Sequence, residues 1–281
     1  MPSFDTPGPI SAEIDILAGD VRIVATDRPD TVVHVRPADE SKDRDRRAAE
    51  QTRAELVSGT LTVRGPRHPT LGVFGKVGVI DLVVELPSGS GVDAKVGAGA
   101  ITCTGELGDC RLRSGAGDVQ VEQAGNVTLT TGFGLVAAET VSGDAKLTTG
   151  SGKLHVRSVA GPAVLKNGNG QSWVGHAAGE LRINSANGDI IADHAAGALT
   201  ANTANGDIRI GELVRGTATL RTAAGRIDIG IRRGTAARLD VHTTYGRVRN
   251  EMTSTDGPAE TDEQAEVRAR TSFGDILIHR A

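Results

Sequence analysis

A chain of 281 residues can bury a substantial core, as one large domain or two ordinary ones. Its formal net charge of -4 and pI near 6.0 argue against a general nucleic-acid or anionic-membrane binder, which needs a basic face. Four Phe, one Tyr and one Trp are too few for a base-stacking platform or a sugar-stacking cleft.

Residues 1–90 read as an N-terminal capping region. Met1 to Asp20 carries Asp5, Glu13 and Asp15 and no long apolar core, so it is not expected to be a signal peptide. No stretch approaches ~18 apolar residues, so no membrane insertion is expected. Ile14 to Val24 (IDILAGDVRIV) reads as strand, turn, strand, and Thr31 to Arg36 as a short strand. Residues 40–56 (ESKDRDRRAAEQTRAEL) read as a helix, rich in Arg, Glu and Ala and free of Gly and Pro. Leu56 to Arg64 and Val77 to Leu86 follow as strands, with a loop at 64–76 between them.

From residue 91 the chain repeats. One glycine per repeat serves as an anchor: Gly99, Gly117, Gly134, Gly152, Gly170, Gly188, Gly206, Gly225, Gly246 and Gly274. The step is 17 to 19 residues up to Gly225, then 21 and 28. Two residues after the anchor the row is mostly branched and apolar (Ile101, Val119, Leu154, Ile190, Ile208, Ile227), and four after it similarly so, with Asn250 as an exception. Five and seven before it run two more apolar rows, including Leu112, Leu147, Leu165, Ile183 and Leu220, then Cys110, Val127, Leu181 and Leu199. Three before it the residues are small and polar: Ser114, Thr131, Thr149, Asn167, Ser185, Thr203, Thr222, Thr243 and Thr271.

Alternation by two on both sides of a glycine is the pattern of strands. Each repeat thus reads as strand, glycine turn, strand, second turn, and 37 glycines against 10 prolines fit many tight turns. One repeat cannot bury its apolar face alone; stacking copies at about 4.8 Å pairs each strand with its equivalents. The expected fold is an all-β, right-handed parallel β-helix with rungs of about 18 residues, spanning 91–281. The left-handed hexapeptide coil does not fit, because the apolar rows do not recur every six residues. An acidic loop at 251–265 is expected before a closing rung, Glu266 to His279, with no separate cap after it.

The run of Leu-x-Thr-x-x-Gly-Asp-Ile-x-Ile units resembles the bacterial "putative adhesin" β-strand-repeat family, whose function is uncharacterised. The carrying residues are Val83 to Gly89 (VVELPSG), Val92 to Ile101, Leu112 to Val121, Leu147 to Val156, Ile183 to Ile190 and Ala201 to Ile210. The resemblance covers roughly residues 10–280. It implies a β-helical domain with no established catalytic activity.

The sequence suggests no cofactor and no catalytic set. Gly-Asp turns recur, and Asp189 and Asp207 stack one rung apart beside Asn187 and Asn205. They are weak candidates for a cation ladder; polar turn chemistry is the simpler expectation. Asp118 and Asp228 join them on the outside as candidates for glycoside chemistry, but no aromatic wall accompanies them. His176 and His194 share a turn row. Cys103 and Cys110 sit on inward rows without CxxC spacing, as expected of reduced thiols in a cytoplasmic protein. Phe133, Tyr245 and Phe273 precede their anchors and Trp173 points outward, which makes them candidate partner contacts. The leading expectation is a non-enzymatic scaffold or protein-interaction module with an unidentified protein partner and homo-oligomer contacts through the solenoid ends. The alternatives are a filament former resembling the bactofilins and a carbohydrate-active β-helix enzyme.

Overall fold

The computed structural model describes residues 2–66, 77–252 and 263–281. The chain forms two compact units, Met1–Ala137 and Ala138–Ala281. Each is a parallel β-helix with two sheet faces. The loop expected at 64–76 falls largely outside the described residues, as does most of the one at 251–265.

The first unit contains β1 (Ser3–Asp5), β2 (Ser11–Thr26), β3 (Asp30–Pro37), helix α1 (Asp43–Gln51), β4 (Arg53–Val57), β5 (Thr60–Arg64), β6 (Ile80–Pro87), β7 (Gly91–Ala98), β8 (Ile101–Leu107), β9 (Cys110–Ala116), β10 (Val119–Ala124) and β11 (Val127–Phe133). The chain leaves it within β12 (Val136–Val141). One face is ordered β4, β5, β2, β7, β9, β11. The other is ordered β1, β3, β6, β2, β8, β10. The 16-residue β2 serves both faces, and its alternate residues Ala12, Ile14, Ile16, Val21, Ile23 and Ala25 are buried. Spatial order departs from chain order here: the rung made of β5 and β6 follows β2 in sequence but lies outside it. Antiparallel strands β4, β3 and β1 cover that outer rung.

The helix is shorter than the expected 40–56. It ends at Gln51, and Arg53–Val57 is instead a strand paired antiparallel with β5, from Arg53 opposite Arg64 to Val57 opposite Thr60. Ser58 and Gly59 close the hairpin with φ of 50° and 76°, the paired positive angles that match strand twist in a two-residue turn. Cross-strand pairing outweighs the helix preference of Arg, Ala, Glu and Leu. What remains of the helix lies on β3 and β6. Ala48 is buried, and the Asp45 carboxylate accepts the Val79 N–H at 3.0 Å. Gly78 makes this approach feasible, since a Cβ there would sit 2.4 Å from the Arg44 carbonyl oxygen.

The second unit contains β13 (Ala145–Ser151), β14 (Leu154–Val159), β15 (Ala163–Asn169), β16 (Ser172–Ala177), β17 (Leu181–Asn187), β18 (Ile190–Ala195), β19 (Leu199–Asn205), β20 (Ile208–Leu213), β21 (Gly216–Ala224), β22 (Ile227–Ile231), β23 (Thr235–Tyr245), β24 (Val248–Asn250), β25 (Glu263–Phe273) and β26 (Ile276–Arg280). Equivalent residues stand over one another: Ile190 pairs with Ile208, and Ile208 with Ile227. Leu165 pairs with Ile183, and Ile183 with Ala201. Each of these is buried. A full Val, Leu or Ile burial contributes about 1.5–3 kcal/mol, so the columns supply the main cohesion.

The anchor row must be glycine for two reasons. Gly206 has φ of 144°, outside the reach of ordinary L residues. A Cβ on it would also fall 2.3 Å from the Gly188 carbonyl oxygen one rung away. That carbonyl is occupied by the small polar row as well. Thr203 donates its hydroxyl to Gly188 O at 3.2 Å, Thr131 to Gly117 O at 2.8 Å, Ser114 to Gly99 O at 2.8 Å and Thr222 to Gly206 O at 3.0 Å. The hydroxyls thus bind the turn backbone of the neighbouring rung, satisfying groups that the coil would otherwise bury.

The final rung differs from expectation. β25 pairs with β21 on one side and β23 on the other, and β26 likewise lies between β22 and β24. Glu266 to His279 is therefore penultimate, and Thr235 to Asn250 is outermost. Hydroxyl bonds follow this spatial order: Thr271 reaches Gly225 O at 3.0 Å, and Thr243 reaches Gly274 O at 2.8 Å. The physical reason lies in the inward slots. β25 and β26 fill theirs with Val267, Ala269, Ile276 and Ile278, all 0% exposed. The competing segment offers Asn250, whose amide would lose water in mid-stack at a cost of about 1–3 kcal/mol; at the end it stays exposed.

Replacing Gly206 with Ala is expected to destabilise the protein by about 2–3 kcal/mol through strain and collision. Gly8→Ala, where nothing lies within 4 Å, serves as the neutral control. Thr131→Val should lose about 1 kcal/mol. Differential scanning calorimetry reads all three.

Candidate functional site

The Gly-Asp turns form a ladder whose carboxylates are already occupied. Asp189 Oδ1 accepts the backbone N–H of Asp207 at 2.9 Å, and Asp207 Oδ1 accepts that of Arg226 at 2.7 Å. The same bond recurs from Asp20 to the Ala100 N–H, Asp118 to Leu135 and Asp275 to Arg247, each at 2.8 Å. The structure brings Asp189 and Asp207 together as expected, but each carboxylate spends an oxygen on its neighbour's turn. An asparagine ladder runs beside it, Asn205 to Asn187 at 2.8 Å and Asn187 to Asn169 at 2.9 Å.

Of the four candidate contact residues, Phe133 lies in the first unit and is 67% exposed. The other three lie in the second. Tyr245 and Phe273 stack with ring centroids 5.0 Å apart. Trp173 stacks on His155 at 4.2 Å and donates its indole N–H to Asp193 at 3.1 Å. Its ring lies over Gly175, where a Cβ would come within 2.8 Å of it. His176 and His194 stack at 4.6 Å, and His194 Nδ1 lies 2.9 Å from the Glu212 carboxylate.

A concavity of about 510 Å³ lies on the outer sheet face of the first unit. Four strands build it, and three of them are adjacent only because chain order and spatial order differ there. In one row His34, Val83, Arg22 and Thr102 stand side by side. A second row places Arg36, Asp81 and Asp20 together. A third lines up Val32, Glu85, Val24 and Thr104. Val83 lies among charges of both signs. At one edge Arg28 binds Glu85 and holds Asp30 through bonds of 2.8 and 3.1 Å. The Arg28 hydrogen bond is the main cause that lowers the Asp30 carboxyl below its ordinary range. Arg22, Arg36 and Asp81 form no ion pair among the described residues. Sequence reasoning missed this groove because β6, which joins β2 to β3 across the face, is separated from both by α1 and the β4–β5 hairpin.

Cys103 and Cys110 are buried free thiols in successive strands, on opposite sheet faces of adjacent rungs. Burial raises both, Cys110 to about 12.

These features, stacked 18-residue rungs with a Gly-Asp turn ladder, define a β-helical repeat protein. The chain belongs to the Toastrack DUF4097 family, whose model matches residues 11–279. No curated protein sequence matches it. Among solved structures it is similar to a "putative adhesin" from Bacteroides fragilis at 9% identity, covering 99% of this chain and 95% of that one, with a TM-score of 0.36. A "putative lipid binding protein" from Parabacteroides distasonis has 9% identity, coverage of 100% and 95%, and a TM-score of 0.36. A "putative cell adhesion protein" from Clostridium sporogenes has 11% identity, coverage of 100% and 98%, and a TM-score of 0.21. The family match carries the assignment.

Asp207→Ala should cost about 1 kcal/mol and Asp207→Asn less, because the amide oxygen still accepts the Arg226 N–H. Added calcium should leave the wild-type melting temperature unchanged; a rise would reinstate the cation ladder. The thiols should resist Ellman's reagent until unfolding. The unfolded thiol ionises near its ordinary 9.0 while folded Cys110 waits until about 12. Stability should therefore fall as pH rises through that window, measured by denaturant titration against a Cys110→Ala control.

Proposed function

We propose that the protein is a non-enzymatic interaction module that engages a protein partner through the groove of the first unit. The observation that supports this most is that the recurrent carboxylates and hydroxyls are occupied by turn backbone, while Arg22, Arg36 and Asp81 converge on one concave sheet face with no ion pair among the described residues. Arg22, Arg36 and Asp81 on one sheet face, with Val83 among them, match the charged-rim, apolar-centre layout of protein interfaces. Charges of both signs favour a partner with complementary charges over a polyanion. A cytoplasmic location is part of this proposal. The filament alternative is disfavoured because β3 and β4 pair antiparallel with the outer rung of the first unit, which interrupts the parallel coil there.

The test is quantitative capture of host proteins on wild type and on an Arg22→Glu/Arg36→Glu variant. The expected result is a discrete partner whose recovery drops about tenfold or more on charge reversal and falls with added salt. Identical captured sets would refute the groove as the interface. Depolymerisation of a polysaccharide that disappears in Asp189→Ala/Asp207→Ala would replace the proposal with the carbohydrate-active enzyme.

A further inference from the structure

We infer that the outermost rung of the second unit, β23 with β24, pairs with the same rung of a second copy to form a closed two-fold dimer. This is independent of the groove in the first unit. Among the described residues β23 is hydrogen-bonded on one side only, by β25, which leaves an edge of 11 residues. Such an edge is a template for further strand pairing. The apolar columns also end uncovered there. Leu239 and Val241 are only half-buried and Val248 is 44% exposed, whereas Val267, Ala269 and Ile276 beneath them are 0% exposed. Beside this edge Tyr245 and Phe273 stack while remaining 67% and 59% exposed.

The side chains of β23 specify the occupant. Its outward residues run Arg238, Asp240, His242, and Asp240 also accepts Arg270 of β25 at 2.8 Å while remaining exposed. A two-fold axis through Leu239 makes the two edges antiparallel. It sets Arg238 opposite Asp240 of the second copy, and Asp240 opposite Arg238. On the inner side Leu239 meets its counterpart and Ala237 meets Val241. The charged pairs and the central apolar pairs are then complementary, as an isologous contact requires. Shifting the axis to Asp240 would oppose two carboxylates, and shifting it to Arg238 would oppose two guanidiniums. A shift that pairs odd with even positions would turn apolar side chains outward. The charge order thus favours the axis through Leu239 over both neighbouring axes, and an axis through Val241 would set Leu239 against Thr243 instead of against a second Leu239; pairing consumes both edges, so the assembly closes at two.

Sedimentation velocity of the full chain over a concentration series tests this. The expected result is a reversible monomer–dimer equilibrium. Arg238→Asp and Asp240→Arg should each weaken it by about tenfold. An equimolar mixture of the two variants should recover it, because each reversed charge then faces the other's. Val248→Lys, at an already exposed position, should weaken it independently. A wild-type chain monomeric to millimolar concentration overturns the inference. So do single reversals that dimerise like wild type, a mixture no tighter than its components, or a ladder of longer species.

Discussion

The constraint on which this protein depends is the superposition of anchor glycines. Each places its missing side chain where the carbonyl of the neighbouring anchor sits, as at Gly206 over Gly188. That contact fixes the rise between rungs and lines up every other row. The apolar columns, the hydroxyl ladder from Thr131, Thr203 and Thr222, and the carboxylate ladder from Asp189 and Asp207 all follow from it. A stack of parallel strands has many turns, and each turn exposes backbone groups that need partners. The repeat supplies those partners from its own Ser, Thr, Asn and Asp residues.

This self-sufficiency directs attention to the outer faces and ends. Residues that look chemical in the sequence turn out to be structural. The Gly-Asp motif resembles a cation or acid–base device until its oxygen is seen bound to the next turn. The groove residues Arg22, Arg36 and Asp81 precede the repeat rows. They lie on a face assembled from segments distant in sequence.

Chain order is broken in each unit, and both departures have the same logic. In the first, β2 is inserted between two rungs that follow it in sequence. In the second, β25 and β26 are inserted inside the rung that precedes them. Inward apolar quality decides the occupancy: Ile276 and Ile278 take the enclosed slots, while Val248 and Asn250 take the open ones. The polar exception at Asn250 was visible in the sequence, but its meaning depended on knowing that an alternative rung could displace it.

The sequence by itself determined the rung, its period and its inward rows, because every repeat states the same local rule and stacking satisfies it. Tertiary structure alone decided where the helix gives way to the β4 hairpin, since Arg53 to Val57 has a local preference for helix that only the partner strand β5 overrides. It alone also decided which rungs are outermost and which outward residues meet across the groove. Those outcomes rest on competition between distant segments for the same buried slots, and no periodicity along the chain records who wins it.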